Sequence, residues 1–111
     1  MMDLAQMIDD FCRRAPGDYT PEQIIAAIKD NHILADDDCF IVFAAVQDEI
    51  HMLFPYAPRG KSIEAVRRKL EDLARSNGYK RIQIITDREK AFVRKFKDYR
   101  PIGVLFEKEL I

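Results

Sequence analysis

Apolar residues recur at helical spacing in two segments near the start of the chain. From Asp3 to about Arg14 they fall three and four positions apart, which predicts one apolar stripe along a helix. Thr20-Pro21-Glu22-Gln23 is a capping-box pattern with proline at the first helical position, and it predicts a second helix running to about Asp30. The polar segment from Asn31 to Asp38 is interpreted as a connection. The second helix is expected to bury Ile24, Ile25 and Ile28.

Strand-like and helical patterns then alternate along the chain. Two apolar runs, Cys39 to Val46 and Ile50 to Tyr56, are separated by Gln47-Asp48-Glu49, which is the length of a hairpin loop. The first run is apolar on both faces, so we expect it inside a sheet. Ser62 can cap a third helix that continues to Asn77-Gly78. Its apolar face is predicted to consist of Ile63, Val66, Leu70, Leu73 and Ala74.

The last third of the sequence completes an α/β pattern. We predict a strand from Arg81 to Thr86, a short helix from Asp87 to Asp98 and a closing strand from Ile102 to Leu110. Strand, helix and strand in this order form a βαβ crossover, which is normally right-handed. Ligands of such folds bind at the loops that follow the strands, so the turn after Tyr56 is the first place to look for a site.

Composition narrows the protein classes that remain. A chain of 111 residues with 48% hydrophobic content suits one domain, residues 1–111. The net charge of -1 does not suit a polycation that binds nucleic acid, so any anion site must be local. Cys12 and Cys39 are too few for a disulfide scaffold and are interpreted as reduced thiols of a soluble, cytoplasmic protein. No run approaches the ~20 apolar residues of a membrane span.

The turn from Tyr56 to Ile63 carries the strongest local signal. It reads Tyr-Ala-Pro-Arg-Gly-Lys-Ser-Ile and stands between a strand and the start of a helix. Helix N-termini offer unpaired N–H groups and a partial positive charge, and both suit a phosphate or pyrophosphate. Arg59 and Lys61 would add charge-assisted hydrogen bonds. The alternative from local pattern alone is an ordinary connection with solvated cations.

From Cys39 onward the chain resembles the second half of GNAT acetyltransferases. The resemblance rests on Arg59-Gly60-Lys61-Ser62-Ile63 between strand and helix, on Asn77-Gly78-Tyr79, and on the stretch Tyr99 to Val104. It is similar in particular to short acetyltransferases encoded by bacteriophages. The resemblance implies a GNAT-like mixed sheet with acetyl-coenzyme A as co-substrate. By this likeness the cofactor-binding residues are Phe54 and Tyr56 along the pantetheine and Arg59, Gly60, Lys61, Ser62 and Ile63 at the pyrophosphate.

The sequence also departs from the family pattern. Ser62 stands at the first glycine of the family's loop and Glu64 at the second small position. Val93 stands where many members have a tyrosine on the last helix. The N-terminal half, predicted as two helices and one hairpin, is reduced compared with the family.

The family likeness implies a base and an acid for acyl transfer. His51, on the strand that leads into the loop, is the candidate base, because imidazole titrates near neutral pH, and Glu49 is a second candidate. Tyr99 is the candidate acid, although packing is the alternative role for its ring. His32 with Asp36, Asp37 and Asp38 matches no structural zinc spacing, so no metal site is predicted.

Three hypotheses for the function follow. The first is an acetyl-coenzyme A-dependent N-acetyltransferase that acts on an amine of a small molecule or a protein by direct attack. The second is a catalytically inactive GNAT-like module that binds a protein or nucleic-acid partner through the basic, aromatic stretch from Arg88 to Arg100. The third is an α/β adaptor without a cofactor. A homodimer formed by the small sheet is left open.

Overall fold

A mixed β-sheet runs through the centre of the computed structural model and carries helices on both faces. The structure describes residues 2–14, 19–85, 100–102 and 105–110. The helices are α1 (Leu4–Arg14), α2 (Pro21–Asp30) and α3 (Glu64–Ser76). The strands are β1 (His32–Asp36), β2 (Cys39–Val46), β3 (Glu49–Tyr56), β4 (Arg81–Ile85), β5 (Arg100–Ile102) and β6 (Leu105–Glu109).

The order of the strands confirms the predicted fold class. The sheet has six strands in the order β1-β2-β3-β4-β6-β5. Among the strands of the described residues only β3 and β4 pair in parallel, and α3 connects them as the predicted βαβ crossover. None of the helices in the described ranges is long and apolar enough to cross a membrane.

Two predicted elements were wrong in detail. The segment interpreted as a connection contains β1, which pairs antiparallel with β2 from His32↔Phe43 to Asp36↔Cys39. The strand was not predicted because its residues are partly polar. They are tolerated because β1 lies at the edge of the sheet, where its side chains are partly exposed to water. The predicted closing strand is divided into β5 and β6, which pair with each other. The predicted helix Asp87 to Asp98 lies outside the described residues, as does Thr86.

Each face of the sheet has its own core. The face under α3 is mainly aliphatic and includes Ile41, Ile50, Met52, Val66, Leu70 and Ile82. The face under α1 and α2 is richer in aromatic rings and includes Met7, Ile8, Ile24, Phe40, Val42 and Tyr56.

The helices bury narrower stripes than the sequence predicted. Ile25 is 45% exposed and Leu73 is 46% exposed, so both expectations of burial were wrong. On α3 the buried positions Val66, Leu70 and Ala74 recur three and four residues apart, and Leu73 falls beside that stripe.

A bulge divides β3 into two parts. Phe43 pairs with Met52 and Val42 pairs with Phe54, so Leu53 is an extra residue in the ladder. Before the bulge Ile50 and Met52 face α3, whereas after it Phe54 and Tyr56 face α1 and α2. The inserted residue shifts the alternation by one and thereby reverses the faces.

Candidate functional site

The strands β3 and β4 form a fork at the bulge. Their pairing extends from Glu49↔Arg81 to Met52↔Ile84, while the pairing of β3 with β2 continues to Tyr56. In the described part of the chain, Phe54–Tyr56 therefore pair with β2 alone, after the bulge at Leu53. Backbone groups along an unpaired edge can bind an extended ligand by hydrogen bonds, and this part of β3 leads directly into the loop before α3.

The loop after β3 is a tight turn built around Gly60. The N–H of Lys61 donates to the carbonyl of Pro58 at 3.0 Å, and Gly60 has φ +85. A side chain at residue 60 would be strained because this backbone conformation is left-handed, even though the space beside it is open.

The start of α3 differs slightly from the predicted start. The N-cap residue is Ile63 rather than Ser62. Ile63 has helical dihedral angles, its side chain makes no capping hydrogen bond, and it lies in the core below α3. The hydroxyl of Ser62 accepts a hydrogen bond from the N–H of Glu64 at 3.1 Å. Ser62 therefore still binds the first turn of the helix, from one position further out than predicted.

The backbone N–H groups at this helix terminus differ in their access to a ligand. Those of Ile63, Ala65 and Val66 have no hydrogen-bond acceptor within the described residues, but Val66 is fully buried and Ile63 is 7% exposed. A cleft of about 430 Å³ is lined by Asp37, Gly60, Lys61, Ser62, Glu64, Ala65 and Arg68, so Ala65 is the one of these three residues that borders it. Unpaired N–H groups and the helix dipole together favour an anion in such a cleft.

The charged side chains in and near the cleft differ in whether they are free to bind an anionic ligand. Arg59 is exposed and forms no ion pair with any described residue. The carboxylate of Glu64, by contrast, is directed along the helix, with Oε1 at 2.7 Å from Arg68 and 3.6 Å from Arg67. Lys61 is bound to two carboxylates, those of Asp37 and Asp38. Arg59 is therefore the cation of this loop that an anionic ligand can engage without breaking a contact.

The two aromatic residues predicted to line a cofactor have their rings in the core. Tyr56 is 3% exposed, stacks on Phe40 with ring centroids 5.1 Å apart, and donates its hydroxyl to Asp10 at 2.6 Å. Burial, followed by the hydrogen bond to Asp10, raises the pKa of Tyr56 above its ordinary value. The ring of Phe54 is half-buried and packs edge-on against Tyr19 at 4.9 Å. The ring of Tyr56 is thus not available to line a cofactor.

The structure brings the two candidate bases together on the paired half of β3. His51 Nε2 lies 3.0 Å from Glu49 Oε2, and Arg81 Nη1 lies 3.0 Å from Glu49 Oε1. With the proton on Nε2, the lone pair that can accept a proton is on Nδ1. His51 stands directly before Met52, the last residue of β3 that pairs with β4. At ~3.3 Å per residue, His51 lies ~17 Å along the strand from Tyr56. Tyr99 lies outside the described residues.

Sequence reasoning missed two residues of α1 that fasten the loop. Arg14 donates from Nη1 to the carbonyl of Ala57 at 2.8 Å, and its guanidinium lies 5.8 Å from the ring centroid of Tyr56. Asp10 accepts the hydroxyl of Tyr56 and also pairs with Arg14 at 3.3 Å. In sequence, Asp10 and Arg14 had the spacing of an ordinary surface ion pair on a helix, and nothing local indicated their contacts with β3 and its loop.

The fold is that of the GNAT acetyltransferases. An acetyltransferase of the GNAT family from Staphylococcus aureus Mu50 is similar with a TM-score of 0.73 at 10% identity, over 97% of this chain and 91% of that one. The PaiA N-acetyltransferase of Thermoplasma acidophilum in complex with coenzyme A gives 0.63 at 14% identity, over 93% and 87%. An aminoglycoside 6'-acetyltransferase type Ii gives 0.68 at 17% identity, over 97% and 88%. The sequence matches no protein-family model and no curated protein.

Proposed function

We propose that this protein is an acetyl-coenzyme A-dependent N-acetyltransferase that acts on an amine of a small molecule or a protein. The observation that carries the proposal is the fork between β3 and β4, which leads to a glycine turn and a cleft at the start of α3. Similarity in fold to solved acetyltransferases, one of them in complex with coenzyme A, supports it.

In this proposal the cofactor extends from the helix terminus into the fork. Its diphosphate binds in the loop from Arg59 to Ile63, where Gly60 forms the turn and where Ala65, whose N–H has no acceptor among the described residues, borders the cleft together with Ser62. The guanidinium of Arg59 adds a charge-assisted hydrogen bond. The pantetheine pairs with the backbone of β3 between Leu53 and Tyr56, and Phe54 supports that edge from the face of α1 and α2.

The chemical step needs a proton acceptor at the amine and a proton donor at the sulfur. His51 accepts the amine proton at Nδ1, while Glu49, held by Arg81, fixes the orientation of the imidazole through Nε2. The amine nitrogen then forms a bond to the thioester carbonyl carbon, the C–S bond breaks, and the thiolate leaves. Tyr99 is the proposed donor to this thiolate.

A thermal-shift titration with acetyl-coenzyme A tests the binding part of the proposal. Ligand at ~100 times its dissociation constant stabilises the folded state by about 2.7 kcal/mol. For a domain of this size the midpoint should rise on the order of ten degrees. Pantetheine, which lacks the diphosphate, is the matched control and should shift the midpoint much less. Absence of a shift at millimolar acetyl-coenzyme A would contradict the proposal.

A second candidate function is a cofactor-binding module without transferase activity. It is favoured by Ser62 and Glu64 at the two small-residue positions of the family's loop and by the carboxylates that line the cleft. Release of free thiol from acetyl-coenzyme A, measured over a panel of primary amines, separates the two functions. Stabilisation by the cofactor with no amine-dependent thiol release supports the inactive module.

A further inference from the structure

The side chains of Lys61 and Cys39 connect the loop after β3 to the turn between β1 and β2 and to the residue that follows this turn. Lys61 Nζ lies 2.8 Å from Asp37 Oδ1, 3.2 Å from Asp38 Oδ2 and 3.4 Å from the carbonyl oxygen of Asp37. An ammonium group has three N–H donors, so these three oxygens use all of them. Beside this contact, the thiol of Cys39 donates to the carbonyl of Ser62 at 3.5 Å.

The turn that holds Lys61 has an unusual backbone. Asp37 has φ 52 and Asp38 has φ 62, and at both positions of such a turn asparagine or glycine is the common choice. Each non-glycine residue in this region costs on the order of 1 kcal/mol or more. The two aspartates compensate through their side chains, because both bind Lys61, and Asp38 also accepts the N–H of Met2 at 3.0 Å.

The carboxylates also hold Lys61 electrostatically. The hydrogen bonds to Asp37 and then to Asp38 raise the pKa of Lys61, so the ammonium remains charged and bound. Contact with a phosphate would require Nζ to give up one of these oxygens. Asp38, whose side chain is 15% exposed, would then lose its cation.

We propose that Lys61 is a positioning residue: its ammonium holds the loop against Asp37 and Asp38, and this keeps the loop and the start of α3 in place for the diphosphate without Lys61 itself binding it. The inference rests on the proposed function and assigns a different role to a cation that would otherwise be taken as a phosphate ligand. Arg59 is then the side chain that meets the anion.

Binding of coenzyme A to matched variants distinguishes positioning from direct contact by the sign of the effect. The positioning role predicts that Lys61→Met and Asp37→Asn both weaken binding, by roughly fivefold to tenfold, because each frees the loop. The double variant should be no weaker than Lys61→Met alone, since both substitutions break one contact. A direct contact predicts opposite signs: Lys61→Met weakens binding, and Asp37→Asn strengthens it by removing a competing carboxylate. That result would overturn the inference.

Two controls complete the binding experiment. Lys29→Met removes an exposed cation on α2 with the same change in net charge and should leave the affinity for coenzyme A within about twofold. Lys61→Arg keeps the cation and its donors, so it should restore most of the affinity, whereas a role in overall stability alone would change the unfolding midpoint without changing the affinity.

Amide hydrogen exchange in the free protein tests the same inference without any ligand. Loss of the contact in Asp37→Asn or Lys61→Met should speed exchange about tenfold at residue 61, whose N–H donates to the carbonyl of Pro58, and at Glu64, whose N–H donates to Ser62. Lys29→Met should not change these rates. If the wild-type protein fails to bind coenzyme A, the proposed function is wrong, but the exchange rates still decide the role of Lys61. Unchanged exchange in both variants would overturn that role.

Discussion

The two halves of β3 differ in the strands they pair with and in the face of the sheet on which their side chains are buried. Glu49–Met52 pair with β2 and β4 and bury Ile50 and Met52 under α3. Phe54–Tyr56 pair with β2 alone in the described structure and direct their aromatic rings to the opposite face. A single extra residue at the boundary, Leu53, separates a half with strands on both sides from a half that pairs on one side only among the described residues.

Backbone pairing explains why the second half is suited to binding. Backbone N–H and C=O groups need hydrogen-bond partners, and at an open edge these are supplied by water or a ligand. The first half has no such capacity because both of its neighbours are strands. The first half holds His51 and Glu49, and the second half leads into the loop proposed to bind the diphosphate, so one strand connects the proposed proton acceptor to that loop.

Deletion of Leu53 should remove the difference between the halves of β3 and have the largest effect on stability. Without the extra residue, Phe54 and Tyr56 would turn toward α3 and leave the aromatic core, or β3 would lose its pairing with β2. We expect a loss of more than ~4 kcal/mol in the free energy of unfolding, measured by urea denaturation. A deletion variant as stable as the wild type would show that the bulge is not needed.

Truncation of one side chain in each half compares how much each half contributes to stability without changing the pairing of the strand. Ile50 is 2% exposed, so Ile50→Ala should cost about 2–5 kcal/mol because it leaves a cavity under α3. Leu53 is 39% exposed, so Leu53→Ala should cost less than about 1 kcal/mol. Equal losses in urea denaturation would mean that the two halves are equally packed.

The sequence predicted most elements but not the bulge. Periodicity identified α1, α2, α3, β2, β3 and β4 because each buries one regular stripe or a continuous apolar run. The bulge was not predictable because it arises from the way β2 pairs with β3 at Val42 and Phe54, and not from the pattern of either strand alone. The edge strand β1 was missed because polar residues are tolerated at an edge.

The position of the loop that carries the proposed site was predictable, but the contacts of its charged side chains were not. The order of strand, glycine turn and helix located the loop at Arg59 to Ile63. The contact of Lys61 with Asp37 spans 24 positions and exists only because the turn between β1 and β2 lies beside the loop. Since β1 was not expected, that contact could not be expected either.

Replacement of Tyr56 by Phe separates packing from binding in the second half. The change keeps the ring against Phe40 and removes the hydrogen bond to Asp10, which retains its ion pair with Arg14. We expect a loss of about 1.5 kcal/mol in urea denaturation, typical of a hydrogen bond to a charged group. Because the ring faces the core, the affinity for coenzyme A should stay within about twofold of wild type, and a large loss of affinity would mean that the hydroxyl contacts the cofactor.

Replacement of Arg59 by Ala should affect binding alone. Arg59 is exposed and makes no ion pair among the described residues, so the free energy of unfolding should change by less than about 0.5 kcal/mol. Affinity for coenzyme A, measured by calorimetry, should fall roughly fivefold, or about 1 kcal/mol, through loss of one charge-assisted hydrogen bond. Arg13→Ala on α1, another exposed arginine, is the control and should leave the affinity unchanged.

The smallest expected effect is a pH dependence at the turn that anchors the loop. The N–H of Met2, and after it Lys61, lower the pKa of Asp38 below its ordinary value of 3.8, against the opposing effect of burial. A lowered pKa means that the folded state favours the carboxylate, so this stability is present above pH 3.8 and is lost as the pH falls through the folded-state value. Asp38→Asn should therefore have a lower urea midpoint than wild type at pH 7, and the difference should shrink toward pH 3.

The effect should be small because the ion pair with Lys61 is accessible to water and is screened by salt. Asp30→Asn, an exposed change at the end of α2, should leave the urea midpoint equal to that of wild type at both pH values. A difference between Asp38→Asn and wild type that grew as the pH fell would mean that the charge of Asp38 destabilises the turn. In that case the turn could not serve as the anchor for the open half of β3.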